Sequence, residues 1–271
     1  KVHHLERRIE MISYSELIFL NDDVYENVIK LSKGGHQSIE LMMDGASWDR
    51  YRGKKQELIK KLRDTGCHFS IHPPAWDTNL TAQIKELRGI AYKIHVDTIQ
   101  FAAQIKASHV VVHPGFLGSP CFSKETAQKR AYDAVCSLAE FAKEHKVKLA
   151  FENVGYHGQS LYTQEEFTHA LDEVDPVVSY LIDLGHAHIN KWDLKSVIEK
   201  VAPRLCGLHI HDNNGQIDQH LPIGTGNIAW DEVFEAMKKL HKDECDFILE
   251  YAPGTDLKYL EEGKNRLKML H

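Results

Sequence analysis

The chain has 271 residues, 42% hydrophobic and 27% charged, with 39 acidic against 33 basic side chains and a net charge of −6. That composition is too apolar for a disordered chain and holds no apolar run near the roughly 20 residues of a membrane helix; its negative balance disfavours a general affinity for nucleic acid. Five cysteines without a CxxC pair and a start (Lys1-Val2-His3-His4) lacking a signal peptide's apolar core read as reduced thiols in a cytosol, whereas 18 histidines direct attention to metal chemistry.

In chain order, Arg8 to Ser13 reads as a first strand and Ser38 to Met43 as a second. Trp48 to Asp64 reads as a charged helix stopped at Gly66, and His68 to His72 as a strand ended by Pro73-Pro74. Leu87 to Lys106 carries Ile90, Ile94, Phe101 and Ile105 at helical spacing, and His109 to His113 follows as a strand closed by Pro114-Gly115. The helix Lys124 to His145 places Ala131, Val135, Leu138 and Ala142 on one face. Later strands are expected over Lys148 to Val154, Val177 to Leu184, Cys206 to His211 and Phe247 to Tyr251. Helical patterns near Thr163 to Glu173, Leu194 to Val201, Ala229 to His241 and Asp256 to Leu270 separate or follow them.

Eight strand–helix units at about 34 residues each match an α/β fold of the (β/α)₈ TIM barrel type, as one domain over residues 1–271. A doubly wound open sheet shows the same alternation. The barrel is favoured because no GxGxxG follows an early strand and because the polar residues of interest sit at the ends of many strands.

Those ends carry metal-ligand residue types: His72, His113, Glu152, Asp183 with His186 behind it, His209 with Asp218 and His220 beyond it, and Glu250. Strand C-termini of a barrel open on one face, so these nine residues are expected to converge there. Histidine and carboxylate without cysteine suits Zn²⁺, Mn²⁺ or Fe²⁺. Nine ligands exceed the needs of one ion and would serve two or three if a carboxylate bridges. Taken singly, a histidine at a strand end is more often a hydrogen-bonded structural residue. Glu152 and Glu250 are stronger, since a carboxylate inside an apolar strand needs a partner to offset its desolvation. Six successive strand ends of this kind carry the argument jointly.

The succession His113-Pro114-Gly115, Phe151-Glu152-Asn153, Ile182-Asp183-Leu184-Gly185-His186, Leu208-His209-Ile210-His211-Asp212, Asp218-Gln219-His220 with Gly224-Thr225-Gly226-Asn227-Ile228, and Leu249-Glu250 resembles the xylose isomerase-like barrel superfamily. That group joins sugar isomerases and epimerases with endonuclease IV, an abasic-site repair enzyme. The endonuclease-type site implies three groupings: His72, His113 and Glu152 on one ion; Glu152, Asp183, His209 and Glu250 on a second; His186, Asp218 and His220 on a third. The single-ion epimerase pattern implies only Glu152, Asp183, His209 and Glu250. Departures from the endonuclease are the missing Gly-His first strand and basic loops around Met11 to Phe19, and glutamine at position 219 in place of arginine.

The resemblance therefore implies a divalent-metal isomerase or epimerase of a small sugar or sugar phosphate, with Glu152 and Glu250 as the proton-transfer pair around an enediolate. A metal-dependent phosphoester hydrolase is the alternative in another reaction class, and a metal-retaining binding protein the non-enzymatic one. No membrane partner is expected, nucleic acid is disfavoured, and a homo-oligomer is left open. Trp76 and Tyr156 are candidate sugar-stacking residues, and Asn153, His157, Gln159, Lys191 and Asn213 candidate hydrogen-bonding ones. His211 is assigned to the face opposite His209, with no metal. Gly224-Thr225-Gly226 is too short to claim as a phosphate cradle. His36, His95, His145, His169 and His241 are expected to be solvated.

Overall fold

Large apolar residues alternate with small or polar ones along most strands: Ile39 and Leu41 flank Glu40, Phe69 and Ile71 flank Ser70, and Leu208 and Ile210 flank His209. Side chains of a strand alternate between its two faces, so this pattern separates an apolar outer surface from a polar interior. The structure, a computed structural model, describes residues 12–51, 53–240 and 245–270.

The strands are β1 (Ile12–Ser15), β2 (Ser38–Met42), β3 (His68–His72), β4 (His109–Val112), β5 (Lys148–Glu152), β6 (Val178–Asp183), β7 (Leu205–Ile210) and β8 (Asp246–Leu249). They pair in parallel in sequence order and β1 closes on β8, which makes a TIM barrel. The helices are α1 (Val24–Lys33), α2 (Ala46–Asp49), α3 (Lys55–Asp64), α4 (Lys85–Ile105), α5 (Lys124–His145), α6 (Gln164–His169), α7 (Leu184–Ile189), α8 (Leu194–Val201), α9 (Trp230–Met237) and α10 (Lys258–Lys268). The outward residues Ile39, Leu41, Phe69, Ile71, Leu208 and Ile210 share one apolar core with the inner helix faces. A separate small cluster, Val111, Ala150, Leu181 and Ile248, belongs to the opposite strand faces and fills part of the barrel interior. No helix among the described residues is long and apolar enough to cross a membrane.

Most element ranges agree with the periodicity, and several expectations are corrected. The expected first strand overlaps β1 only at Ile12 and Ser13, and residues 8–11 lie outside the described residues. The single helix expected from Trp48 is two, because Gly53 takes a left-handed φ of 76° between α2 and α3. Trp48 itself donates its indole N–H to Met42 O at 2.8 Å, which ties α2 to the end of β2.

On α4 Phe101 and Ile105 are buried as their spacing implies, and with them Ala91, His95, Thr98, Ile99 and Ala102, whereas Ile94 is half-buried and Ile90 is 57% exposed. Small residues let this helix approach the sheet, and that leaves the larger Ile90 outside. His95 is thus buried: it donates Nδ1–H to Ala91 O at 2.9 Å, and burial pushes its pKa down to about 4. His36 is buried too, with its ring 3.9 Å from that of Tyr14. His145 is half-buried against Phe141, His169 is exposed as expected, and His241 lies outside the described residues.

Glu16, in the 3₁₀ turn after β1, carries a testable consequence of burial. Its carboxylate accepts from Asn27 Nδ2–H at 2.7 Å and from the Met42 N–H at 3.2 Å. Burial nevertheless outweighs these bonds and pushes its pKa up to about 8 from 4.5. The folded state then binds a proton that the unfolded chain has released. Stability from this group is complete below the unfolded value and is lost as pH rises through the folded one. Glu16→Gln should differ little from the parent at pH 4 and should be more stable by roughly 1–3 kcal/mol at pH 9. Urea melts of both proteins at the two pH values measure this; equal differences would show that Glu16 does not titrate in this window.

Candidate metal centre

The inward positions at the C-terminal ends of β3 to β8 meet at one rim, and backbone carbonyls set the orientation of three histidines there. His72 donates Nδ1–H to Pro73 O at 2.8 Å, His186 to Asn153 O at 3.0 Å and His220 to Glu250 O at 3.1 Å. A carbonyl only accepts, so each ring carries a proton on Nδ1 and directs Nε2 into the site. There Nε2 meets other acceptors. His72 Nε2 is 3.0 Å from His113 Nε2 and 3.4 Å from Glu152 Oε2, while His113 Nε2 is 2.9 Å from the same oxygen. His186 Nε2 and His220 Nε2 each stand 3.1 Å from Asp218 Oδ2. Acceptors this close require positive charge between them, supplied by ring protons or by a metal cation.

His209 is turned the other way. Its Nδ1 lies 3.3 Å from Glu152 Oε1, 3.6 Å from Glu250 Oε2 and 3.8 Å from Asp183 Oδ2. Burial disfavours charge on Glu152, but His113 and His209 outweigh it and hold the carboxyl well below its ordinary range. Burial likewise opposes charged rings at His72 and His220, yet Glu152 beside the first and Asp218 beside the second push them up to about 9.

This donor set fits divalent cations. His72, His113 and Glu152 bring ligand atoms within 4.8 Å of one another, as do Glu152, Asp183 and His209. Glu40, His209 and Glu250 form a third such group, and His211, His220 and Glu250 a fourth. Asp218 Oδ1 and His209 Nε2 are buried without a hydrogen-bond partner, a costly arrangement for polar atoms in a cage of acceptors.

Above the cage lies a cavity of about 220 Å³. Seven of the nine expected ligands line it, while Asp183 and His209 sit fully buried beneath. Leu17, Met42, Trp76, Phe116, Val154 and Tyr156 contribute apolar and aromatic wall, and neither Lys nor Arg is among its lining.

A sequence pattern described as xylose isomerase-like TIM barrel matches residues 29–269, and the closed eight-stranded sheet agrees with it. The chain belongs to this family. It is 25% identical to the uncharacterized protein MJ1311 of Methanocaldococcus jannaschii, over 84% of this chain and 80% of that one. It is 27% identical to a probable endonuclease 4 of Thermoplasma volcanium, over 67% and 68% respectively. In fold it is similar to a D-tagatose 3-epimerase-like protein (TM-score 0.82, 22% identity, 96% of each chain). A zinc-bound IOLI protein is also similar (TM-score 0.78, 16% identity, 96% of each chain).

This xylose isomerase-like barrel brings together all nine residues that the sequence nominated, and two more. His211 lies in the same interior as His209, not opposite it, because residues two apart in a strand share a face. It is fully buried, donates Nε2–H to Asp183 Oδ2 at 3.0 Å and stacks on His220 at 4.0 Å between ring centroids. A Cβ on Gly185 would run into this ring, which accounts for the glycine between Asp183 and His186. Glu40 was not nominated, although a glutamate between Ile39 and Leu41 gives the same signal as Glu152 and Glu250.

Among the substrate-contact candidates, Trp76, Tyr156 and Gln159 line the cavity. Asn153 does not: its amide exchanges hydrogen bonds with the backbone N–H and C=O of Asp183 at 2.8 and 2.9 Å. Asn213 likewise donates to Gly185 O at 3.0 Å, so both are loop clamps. His157 and Lys191 are exposed residues outside the cavity lining. The Gly224-Thr225-Gly226 loop packs on Asp212, whose carboxylate accepts from Gly224 N–H at 2.9 Å, Ile228 N–H at 3.1 Å and Trp230 Nε1–H at 2.7 Å. Its glycines serve close packing, since a Cβ on Gly226 would collide with that carboxylate.

Proposed function

We propose that the protein is a divalent-metal-dependent isomerase or epimerase of a small sugar or sugar-like polyol. The observation that carries this reading is the placement of Glu152 and Glu250. Both approach His209 Nδ1, at 3.3 and 3.6 Å, and both open onto the cavity, so each serves cation and substrate. Glu152, Asp183, His209 and Glu250 would hold one ion, His72 and His113 with Glu152 another, and His186, Asp218 and His220 a third. The donor types suit zinc, manganese or iron. A bound divalent ion supplies Lewis-acid polarisation of a carbonyl and its neighbouring hydroxyl.

The chain's own residues move the proton. Glu152, held ionised by His113 and His209, takes the proton from the carbon beside the carbonyl, and the C–H pair becomes the enediolate double bond. Glu250, carrying a proton taken up from solvent, delivers it to the opposite face of the carbon for epimerisation, and Glu152 releases its own proton to solvent before the next turnover. Trp76 and Tyr156 stack on the sugar and keep the reacting carbon out of bulk water. A cavity of about 220 Å³ without Lys or Arg in its lining suits a small uncharged polyol better than a polyanion.

One observation favours a second reading, metal-dependent phosphoester hydrolysis. Asp218 Oδ2 stands 3.1 Å from both His186 Nε2 and His220 Nε2, which supports a further set of donors at the same rim. Multi-ion sites stabilise both attacking and leaving oxygens. Incubation of metal-loaded protein in D₂O with a panel of ketoses and aldoses separates the two. Deuterium at the carbon beside the carbonyl is the expected result. Absence of deuterium in a sugar that is turned over would reject proton transfer. Cleavage of abasic-site duplex or small phosphodiesters above a Glu152→Ala control would establish the hydrolytic alternative.

A further inference from the structure

We propose that Glu40 is a positioning residue of the metal centre, holding His209 from inside the barrel so that Nδ1 faces Glu152, Asp183 and Glu250. The inference rests on the metal reading above.

Three cage histidines, His72, His186 and His220, are oriented by a backbone carbonyl behind the ring. His209 follows a different plan: its back nitrogen, Nε2, faces the Glu40 carboxylate at 3.0 Å. The two atoms sit off the line of a well-formed hydrogen bond, and each is otherwise buried without a hydrogen-bond partner. One is a potential donor and the other an acceptor, so a small rotation satisfies both. Placing the proton on Nε2 leaves the Nδ1 lone pair directed at the three carboxylates, as a ligating imidazole requires. Metal-bound histidines commonly donate their remaining N–H to a carboxylate, which fixes the tautomer and raises ligand basicity.

Glu40 is itself held for this task. Its Oε2 accepts from Ser70 Oγ–H at 3.3 Å on the paired strand position and lies 4.0 Å from His109 Nε2. Glu40 and His209 are both fully buried. A charge at that depth is strongly disfavoured unless it is partnered. Protonation of neighbouring histidines or a nearby cation supplies the compensation, which couples Glu40 to the cage above it.

Titration of the purified full chain with Co²⁺, comparing the parent with Glu40→Met and Glu40→Gln, tests the proposal. Glu40→Met leaves the His209 Nε2–H without an acceptor and is expected to weaken Co²⁺ binding about 10- to 100-fold and to alter the visible ligand-field spectrum. Glu40→Gln keeps an acceptor oxygen and should restore most of the affinity. Folded Glu40→Met with unchanged affinity and spectrum would overturn the proposal. Should that variant not fold, ¹⁵N shifts of the His209 ring in Zn²⁺-loaded parent protein decide. A proton on Nε2 is expected, and a proton on Nδ1 overturns the assignment. Parent protein that takes up no Co²⁺ would overturn the metal centre itself, a result distinct from ion uptake that is indifferent to Glu40.

Discussion

Glu152→Ala should remove ion binding from the shared part of the cage and with it nearly all turnover. Glu152 Oε2 is 2.9 Å from His113 and 3.4 Å from His72, and Oε1 is 3.3 Å from His209 and 3.7 Å from His186. Among the described residues no other carboxylate touches so many of the imidazoles, so its loss removes a candidate ligand from two groupings and also the proposed base. Loss of general-base action alone is worth about 10²- to 10⁴-fold in rate, and ligand loss adds to it. Metal analysis of purified protein should show at least one equivalent fewer per chain than the parent. Glu152→Gln, which keeps the shape, should behave alike, because an amide neither bridges cations as a carboxylate does nor takes the proton. Full metal content and rates within a few-fold of the parent would remove Glu152 from the chemistry.

Removal of metal by a chelator is the second large effect expected, and its readout is stability. The cage gathers Glu40, Glu152, Asp183, Asp218 and Glu250 around six imidazoles, with acceptor-to-acceptor contacts near 3 Å where His72 meets His113 and where Asp218 meets His186 and His220. A ligand that binds only the folded state stabilises it by about 4 kcal/mol when present at roughly a thousand times its Kd. For a chain of this size each kcal/mol moves Tm by about 2–4 °C, so chelation should lower Tm by about 8–16 °C per tightly held ion. Calorimetry before and after chelation, with metal content measured on the same samples, reads this. Restoring one divalent cation at a time should recover the loss. A Tm unchanged after verified removal of metal would mean that the cage is stabilised by its own protons.

Much of the architecture was legible because the barrel writes itself into the sequence twice, in alternation along strands and in the spacing of strand–helix units. Ala131, Val135, Leu138 and Ala142 fall on the buried face of α5 as their spacing implies. The reading failed where size mattered more than apolarity. On α4 the large Ile90 attracted the assignment, while Ala91, Thr98 and Ala102 permit the close approach and carry His95 inward. His211 was misplaced because the period of two puts it on the same side as His209. Glu40 was overlooked although Ile39 and Leu41 around it give the same signal as the apolar neighbours of Glu152.

Residue types and their order along the chain were enough to nominate the ligand set and the rim at which it gathers, since parallel strands in a closed barrel must all end on one side. Which nitrogen His186, His209 and His220 turn inward was decided only by the tertiary structure. His186 takes its orientation from Asn153 O, 33 residues away, His220 from Glu250 O, 30 residues away, and His209 faces Glu40 across the barrel. A tautomer is fixed by whatever acceptor stands behind the ring; at His72 that is the carbonyl of the next residue, but for these three it is supplied by a distant strand or loop, so the local sequence carries no signal for it.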